Sequence, residues 1–169
     1  MTNITYDITP PSIPVLYTPI DGVFTNLTAP ALLWIAATDN FSSAANISYQ
    51  VEVSLMSDFS TTVATGSISS GTGYTITPGL LINTVHYWRV QAIDQAGNMS
   101  GWCAARNFTF DSVAPVISSV ATDTYIQNTS RSFSGYLRNG DNAELRSVIT
   151  DNYISQMNTS NVVADLTPV

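Results

Sequence analysis

The amino-acid sequence predicts an all-β chain, an antiparallel β-sandwich followed by a second, incomplete β unit. Three observations lead there. Short runs that alternate apolar and polar residues recur about every 8 to 15 residues. Clusters of Gly, Pro, Asn, Asp and Ser separate them, the residues that turns select. No window repeats apolar residues at the i, i+3, i+4, i+7 spacing of an amphipathic helix. Ser and Thr, 20 and 21 of the 169 residues, add to this, because threonine favours strands.

The elements follow in order. An arm over residues 1–13 carries Ile4, Tyr6 and Ile8 in alternation. Leu32-Leu33-Trp34-Ile35 reads as a strand. From Ile47 to Leu55 the pattern is cleaner: Ile47, Tyr49, Val51, Val53 and Leu55 alternate with Ser48, Gln50, Glu52 and Ser54, as in a half-buried strand. Thr61 to Ile68 is a threonine-rich strand, and Tyr74-Thr75-Ile76 is stopped by Pro78-Gly79. Between His86 and Ile93, the set His86, Trp88, Val90 and Ala92 should face inward, because Arg89 and Gln91 on the other face are costly to bury. Asp94 to Asn98 forms a tight connection in which Gly97 supplies a positive φ. Trp102 is expected to start the return strand, which continues over Asn107 to Phe110. The expected core is Trp34, Tyr49, Val51, Val53, Trp88, Val90 and Ala92.

The stretch "GLLINTVHYWRVQAIDQAGNMSGW" resembles the E–F corner, F strand and F–G turn of a fibronectin type III domain. "PVLYTPIDG" is similar to the A strand of such domains, Leu33-Trp34 to the B strand and "ISYQVEVS" to the C strand. The likeness covers roughly residues 12–113 and is closest to the fibronectin type III and immunoglobulin-like domains of prokaryotic, in particular archaeal, cell-surface glycoproteins. It implies a fibronectin type III-like domain over residues 14–111. One departure stands out. The family usually has Tyr six residues after the corner leucine, and counting from Leu80 lands on His86. Either the imidazole replaces the tyrosine hydroxyl in tying the corner, or Tyr87 takes that role in a slipped register.

Beyond a linker at residues 112–115 the pattern restarts. Pro115-Val116-Ile117 echoes Pro14-Val15-Leu16 at a spacing of 101 residues. Phe133 to Leu137 and Leu145 to Ile149 read as strands around Asn139-Gly140-Asp141, and the tail "NTSNVVADLTPV" resembles a mid-domain strand of immunoglobulin-like surface modules. Residues 116–169 supply about four short strands where a sandwich wants about seven. Phe133, Leu137, Val148 and Ile154 would then lie uncovered. Later strands of a longer chain would complete the fold, or a neighbouring subunit would donate one, with the N-terminal arm as the natural donor.

Composition excludes several classes of function. Charged residues are only 10 %, lysine is absent, and the net charge is −7. Without a basic patch, nucleic acid is not an expected partner. The longest apolar run, Ala29 to Ala37, is interrupted by Pro30 and falls short of the roughly 20 residues of a spanning helix. Neither a basic start nor an apolar stretch opens the chain at Met1-Thr2-Asn3-Ile4-Thr5. A secreted chain with that start implies a longer exported precursor, or numbering from a processed end.

Eight of the thirteen asparagines begin an N-x-[ST] triplet: Asn3, Asn26, Asn40, Asn46, Asn98, Asn107, Asn128 and Asn158. Chance would give about three, so the pattern points to N-glycosylation and an extracellular or cell-surface location. The other chemistry is sparse. Cys103 is the single cysteine and reads as a small buried residue beside Trp102 rather than as an intermolecular bridge. His86, the single histidine, belongs to the framework, so neither a serine triad nor a histidine metal site can be assembled around it. Glu52 stands alone on an outward strand position; Asp39, Asp58, Asp94 and Asp111 fall in turns. No enzymatic role and no resident cofactor are expected. Calcium at the junction of the two units is the one metal idea, with Asp111 and Asp123, Asp141, Asn142 or Asp151 as oxygen donors.

Three functions fit. The leading expectation is a non-catalytic structural module of a glycosylated cell-surface, sheath or filament protein, with copies of itself or other surface proteins as partners. A carbohydrate- or protein-binding adhesion module comes next; sugar binding asks for exposed rings on one face, with Tyr17, Tyr87, Tyr125 and Tyr153 as candidates. The third is an accessory domain of a secreted hydrolase.

Overall fold

In a computed structural model, residues 6–121 and 146–153 of the chain are described. The chain divides into two compact units, Met1–Ser112 and Val113–Val169. In the first, eight strands form two sheets: β1 (Val15–Thr18), β2 (Val23–Thr25), β3 (Ala31–Ile35), β4 (Ser48–Ser54), β5 (Thr62–Ile68), β6 (Gly73–Thr75), β7 (Thr84–Ile93) and β8 (Arg106–Phe110). One sheet has the order β1-β3-β6, the other β2-β8-β7-β4-β5. A single 3-10 turn at Ala44–Asn46 is the one helical piece among the described residues. The all-β immunoglobulin-like sandwich is as the sequence predicts.

Alternation decides which side of each strand is buried. Val51 and Val53 on β4 stand opposite Val90 and Trp88 on β7, so both pairs enter the core together. Glu52 and Gln50 stand opposite Arg89 and Gln91 on the outer side. All seven expected core residues are buried in one cluster, joined by Leu16, Leu32, Ile47, Ile76, Phe108 and Phe110. Tyr49 reaches across to Trp34, ring centroids 5.3 Å apart, and its hydroxyl accepts from the Ala37 N–H at 2.9 Å. A phenol so placed buries its ring while satisfying its oxygen.

Three details differ from expectation. One pair is not antiparallel: β2 runs parallel to β8, Val23 opposite Phe108. A strand that reaches β8 from the other sheet, with no hairpin between them, is not obliged to run against it. The crossing is pinned by Asp21, whose carboxylate accepts from the Asn107 backbone N–H at 2.8 Å and its side-chain amide at 2.9 Å. Second, the return strand begins only at Arg106, not at Trp102. The Ser100 hydroxyl and the Cys103 thiol take the Ala92 and Val90 N–H groups, at 2.9 and 3.2 Å, which a partner strand's carbonyls would otherwise accept. The segment therefore pairs with β7 only irregularly: the Ser100 and Cys103 N–H groups donate to the Ala92 and Val90 carbonyls at 2.9 and 3.0 Å, Ile93 and Met99 form one isolated bridge, and Cys103 is buried there. Third, Leu80 is 40 % exposed and Leu81 is the buried corner leucine.

Counting six from Leu81 lands on Tyr87, while His86 is the one of the two that is buried. Its Nδ1 pairs with the Thr84 carbonyl at 3.0 Å, two residues back on the same strand, and its ring stacks on Phe108 at 5.4 Å. Nε2 is buried without a hydrogen-bond partner. Tyr87 lies half-buried on the outer side.

The described part of the arm is bound to its own domain and forms no strand. Ser12 N–H donates to the Thr38 carbonyl at 2.8 Å, Thr38 N–H returns a bond to the Ser12 hydroxyl at 2.9 Å, and Pro11 and Pro14 are buried. The second unit shows an antiparallel pair, β9 (Val116–Ala121) with β10 (Arg146–Thr150), its register shifting between Val148 and Ile149. The expected strand at Phe133 to Leu137, the turn at Asn139-Gly140-Asp141 and the tail from Asn158 lie outside the described residues.

Trp88→Ala should destabilise the first unit by about 3 to 5 kcal/mol in denaturant titration, as truncation of a fully buried large aromatic does. Burial holds His86 neutral by pushing its pKa below the ordinary value, against the Thr84 bond, which raises it. Protonation then favours the unfolded chain. The stability from burying the neutral ring is complete above about pH 6.5 and is lost as pH falls toward the lowered folded pKa. The thermal midpoint should drop between about pH 7.5 and about pH 5.5. In His86→Phe, which has no ring nitrogen to protonate, that drop should be smaller; an equal drop would place its cause elsewhere.

Candidate functional site

The register of the five-stranded sheet writes two polar rows across its outer face. Ser67, Gln50 and Gln91 lie side by side on β5, β4 and β7, and Thr65, Glu52 and Arg89 form the next row. Each row is tied internally. The Gln91 amide donates to Gln50 Oε1 at 2.6 Å. Arg89 donates to Glu52 Oε2 through Nε at 2.9 Å and approaches it through Nη2 at 2.7 Å. Gln91 is buried in spite of its outward position, and the bond to Gln50 lets it stay there.

Two aromatic rings hold the guanidinium from above. Arg89 Cζ lies 4.0 Å from the Phe59 ring centroid and 4.4 Å from that of Trp102. Trp102 is delivered by the irregular segment after β7: buried Ser100 and Cys103 anchor it to that strand, and the indole lies over the outer face. Phe59 sits in the loop after β4 at φ 59°, the left-handed region that a non-glycine residue rarely enters. Its N–H bonds the Met56 carbonyl at 3.1 Å, and the next turn is fixed by Asp58, which accepts from Ser60 N–H at 2.9 Å. A backbone state costing about 1 to 3 kcal/mol persists only where its surroundings impose it, and the ring on Arg89 is one such contact.

Beside this stack is an open depression of about 340 Å³, bounded by Gln50, Val51, Glu52, Thr65, Gly66, Ser67 and Trp102. Its polar lining is hydroxyl, amide and carboxylate, and its charge is internally paired. Glu52 has Arg89 as its fixed partner.

A different group lies at the turn end of the sandwich. Asp7, Asp39 and Asp94 each bring a carboxylate oxygen within 4.8 Å of the others and form, among the described residues, the group that could hold a metal ion. Most of this geometry is loop architecture. Asp94 accepts from Asn98 N–H and from its side-chain amide, each at 2.8 Å, closing the turn at Gly97, whose φ is +92°. Asp39 caps the loop through Ser42 and Phe41 N–H at 2.7 and 2.9 Å; these bonds, Ser42's first, hold its carboxyl below the usual pKa. Of the junction residues expected for calcium, Asp123, Asp141 and Asn142 lie outside the described residues, while Asp151 accepts from Tyr153 N–H at 2.8 Å.

The candidate glycan sites divide by what their amides do. Asn26 and Asn40 are exposed. Asn46 is exposed and makes one long contact, 3.5 Å, to Gln95. Asn98 and Asn107 are half-buried, and the Nδ2 that would carry a sugar is bonded to Asp94 and the Asp7 carbonyl in one, to Asp21 in the other. Asn3, Asn128 and Asn158 lie outside the described residues. Of the tyrosines, Tyr17 is exposed on the three-stranded sheet, Tyr87 is half-buried on the other, Tyr153 belongs to the second unit and Tyr125 lies outside the described residues. The rings that do converge, Phe59 and Trp102, were not among those candidates. Their signal was indirect: an outward Arg89 on a strand followed by a Trp after a tight turn.

Among the described residues no helix is long and apolar enough to cross a membrane. No curated protein matches the chain. Among solved structures, the α-L-rhamnosidase of Streptomyces avermitilis, determined in complex with L-rhamnose, is similar over 60 % of this chain at 20 % identity, with a TM-score of 0.39. The chain spans about a tenth of that enzyme's length, the likeness covering 10 % of it. The family model for the Rha78A-like, N-terminal immunoglobulin domain matches residues 20–111, more than half of the chain and nearly the whole sandwich. An origin in archaeal surface glycoproteins is not part of that match. By its strands and by this match, the chain belongs to the Rha78A-like N-terminal immunoglobulin domain family.

Proposed function

We propose that this chain is a non-catalytic accessory module of a secreted glycoside hydrolase, of the class that cleaves terminal α-L-rhamnosides. The observation that carries the reading is the match of residues 20–111 to an N-terminal domain of rhamnosidase-like proteins. Among the expectations from sequence, it favours the accessory domain over the sheath or filament module. The outer face of the three-stranded sheet supports it: Val15 and Ile35, opposite each other, and Tyr17 nearby are each more than half exposed. Uncharged apolar surface of that kind suits a module seated against a larger body. The 169-residue chain should release no p-nitrophenol from p-nitrophenyl α-L-rhamnopyranoside, while the product of the complete reading frame should. A complete product with no glycosidase activity on this or related aryl glycosides would overturn the reading.

We also propose that the secreted form carries N-glycans, with occupancy set by amide availability. Glycopeptide mapping of the natively produced protein should find sugar at Asn26 and Asn40 more fully than at Asn98 and Asn107. In the latter pair a glycan must displace hydrogen bonds of about 1 kcal/mol each. A bare polypeptide mass would remove the glycoprotein reading and leave the sandwich untouched.

A further inference from the structure

We propose that the depression between Trp102 and the edge strand β5 binds the terminal ring of a neutral oligosaccharide. Its lining selects for such a ring by three properties. Charge is the first. In a chain of net charge −7 the charged groups here, Glu52 and Arg89, neutralise each other, so an ionic ligand finds no free counter-charge. The second is polarity. Val51 turns its side chain into the core, so the indole is the large apolar surface, and the remaining lining is amide, carboxylate and hydroxyl. A fully apolar ligand would strip water from those groups without replacing its bonds. A sugar ring has the matching duality, with C–H groups on one face for an indole and hydroxyls around its edge for polar side chains.

The third property is a set of unfilled hydrogen-bonding positions. Gln50 accepts through Oε1 and so keeps its amide N–H groups; Arg89 uses only Oε2 of Glu52, so the other carboxylate oxygen keeps its lone pairs. Thr65 and Ser67, exposed on β5 next to these two, add hydroxyls that both donate and accept. Neighbours across strands stand about 5 Å apart and same-face neighbours along a strand about 7 Å, the scale of one pyranose ring. The volume, about 340 Å³, is at the small end of ligand sites, roughly 300 to 1,000 Å³. The groups are also held before any ligand arrives: Gln50 by Gln91, Glu52 by Arg89, and the Arg89–Trp102 stack by Phe59 in its left-handed conformation. Such preorganisation lowers the ordering cost of binding.

The test is a titration of the ¹⁵N-labelled 169-residue chain, following the backbone amides of Gln50 and Glu52. The probes are neutral disaccharides with L-rhamnose, D-galactose or D-glucose at the non-reducing end, with galacturonic acid and adenosine for comparison. At least one neutral sugar should give saturable shifts with a roughly millimolar Kd. Trp102→Ala and Thr65→Tyr should each weaken it about tenfold or more, and in Thr65→Tyr the thermal midpoint should stay unchanged. Thr65→Tyr fills the depression from an exposed edge position and decides the matter should Trp102→Ala fail to fold. The proposal is overturned by no saturable shift with any neutral sugar, by undiminished affinity in Thr65→Tyr, or by equally tight binding of galacturonic acid or adenosine. It rests on the sheet face and not on the accessory-module reading, which the glycosidase assay tests separately.

Discussion

The register of β7 is the constraint on which the rest of the first unit depends. This ten-residue strand pairs with β4 on one side and β8 on the other. With a side-chain period of two, one choice of register fixes both surfaces of the sheet. Trp88, Val90 and Ala92 fill the core, and Tyr87, Arg89 and Gln91 therefore build the outer face. A slip by one residue would bury a guanidinium and expose a tryptophan. The apolar cost of that slip is what makes the polar rows reproducible, so the candidate site takes its precision from the core behind it.

A second constraint shapes the ends of the sandwich, where the two sheets must close on each other. At the β5–β6 edge glycine provides the room. A Cβ on Gly66 would stand 2.6 Å from the Tyr74 ring, and one on Gly73 would stand 2.7 Å from Leu33. Both positions would force their neighbours aside: Gly66 on β5 meets a ring of the other sheet and sets how near the sheets approach, while Gly73 makes room for Leu33, its partner within the three-stranded sheet. Tyr74 then closes the edge with its ring over Gly66 and its hydroxyl donating to the Thr65 carbonyl at 3.4 Å. The same carbonyl belongs to a residue of the polar depression, which couples closure of the sandwich to the placement of its outer rim.

The fold was legible in the sequence where alternation and turn chemistry agree. The strands at Ser48–Ser54 and Thr84–Ile93 carry a period of two, Ala31–Ile35 is a short apolar run and Thr62–Ile68 is threonine-rich, and Gly97 marks the turn. Misreadings arose where side chains do the work of backbone. Ser100 and Cys103 accept hydrogen bonds from β7 N–H groups, a substitution with no periodic signature, and so the return strand starts four residues later than its aromatic flank suggests. The parallel pairing of β2 was hidden for a related reason: three residues have too little pattern to declare a partner. The candidate site was half legible. Its outward polar residues follow from alternation, but the convergence of Phe59 and Trp102 on Arg89 depends on two loops of irregular backbone. One of them holds a phenylalanine at a φ that composition gives no cause to expect.

That loop also bears on how an outer face whose charges are paired with each other is protected. Exposed sheet edges invite pairing with other chains, and many proteins deter it with lysine. This chain has no lysine, and its edge strand β5 presents threonine and serine instead. Hydroxyls deter strand addition weakly, because they neither repel like charges nor bring a large desolvation cost. An edge so furnished needs another protector, and two are visible. Trp102 and the Phe59 loop rise beside the sheet face, and the β4–β5 register shifts between Val53 and Ser54, disturbing the ladder near the start of β5. Such a bulge increases local twist and blunts an edge. The hydroxyl-rich surface that remains on β5 is polar and fixed by the strands beneath it, and its neighbouring charges, Glu52 and Arg89, are paired with each other.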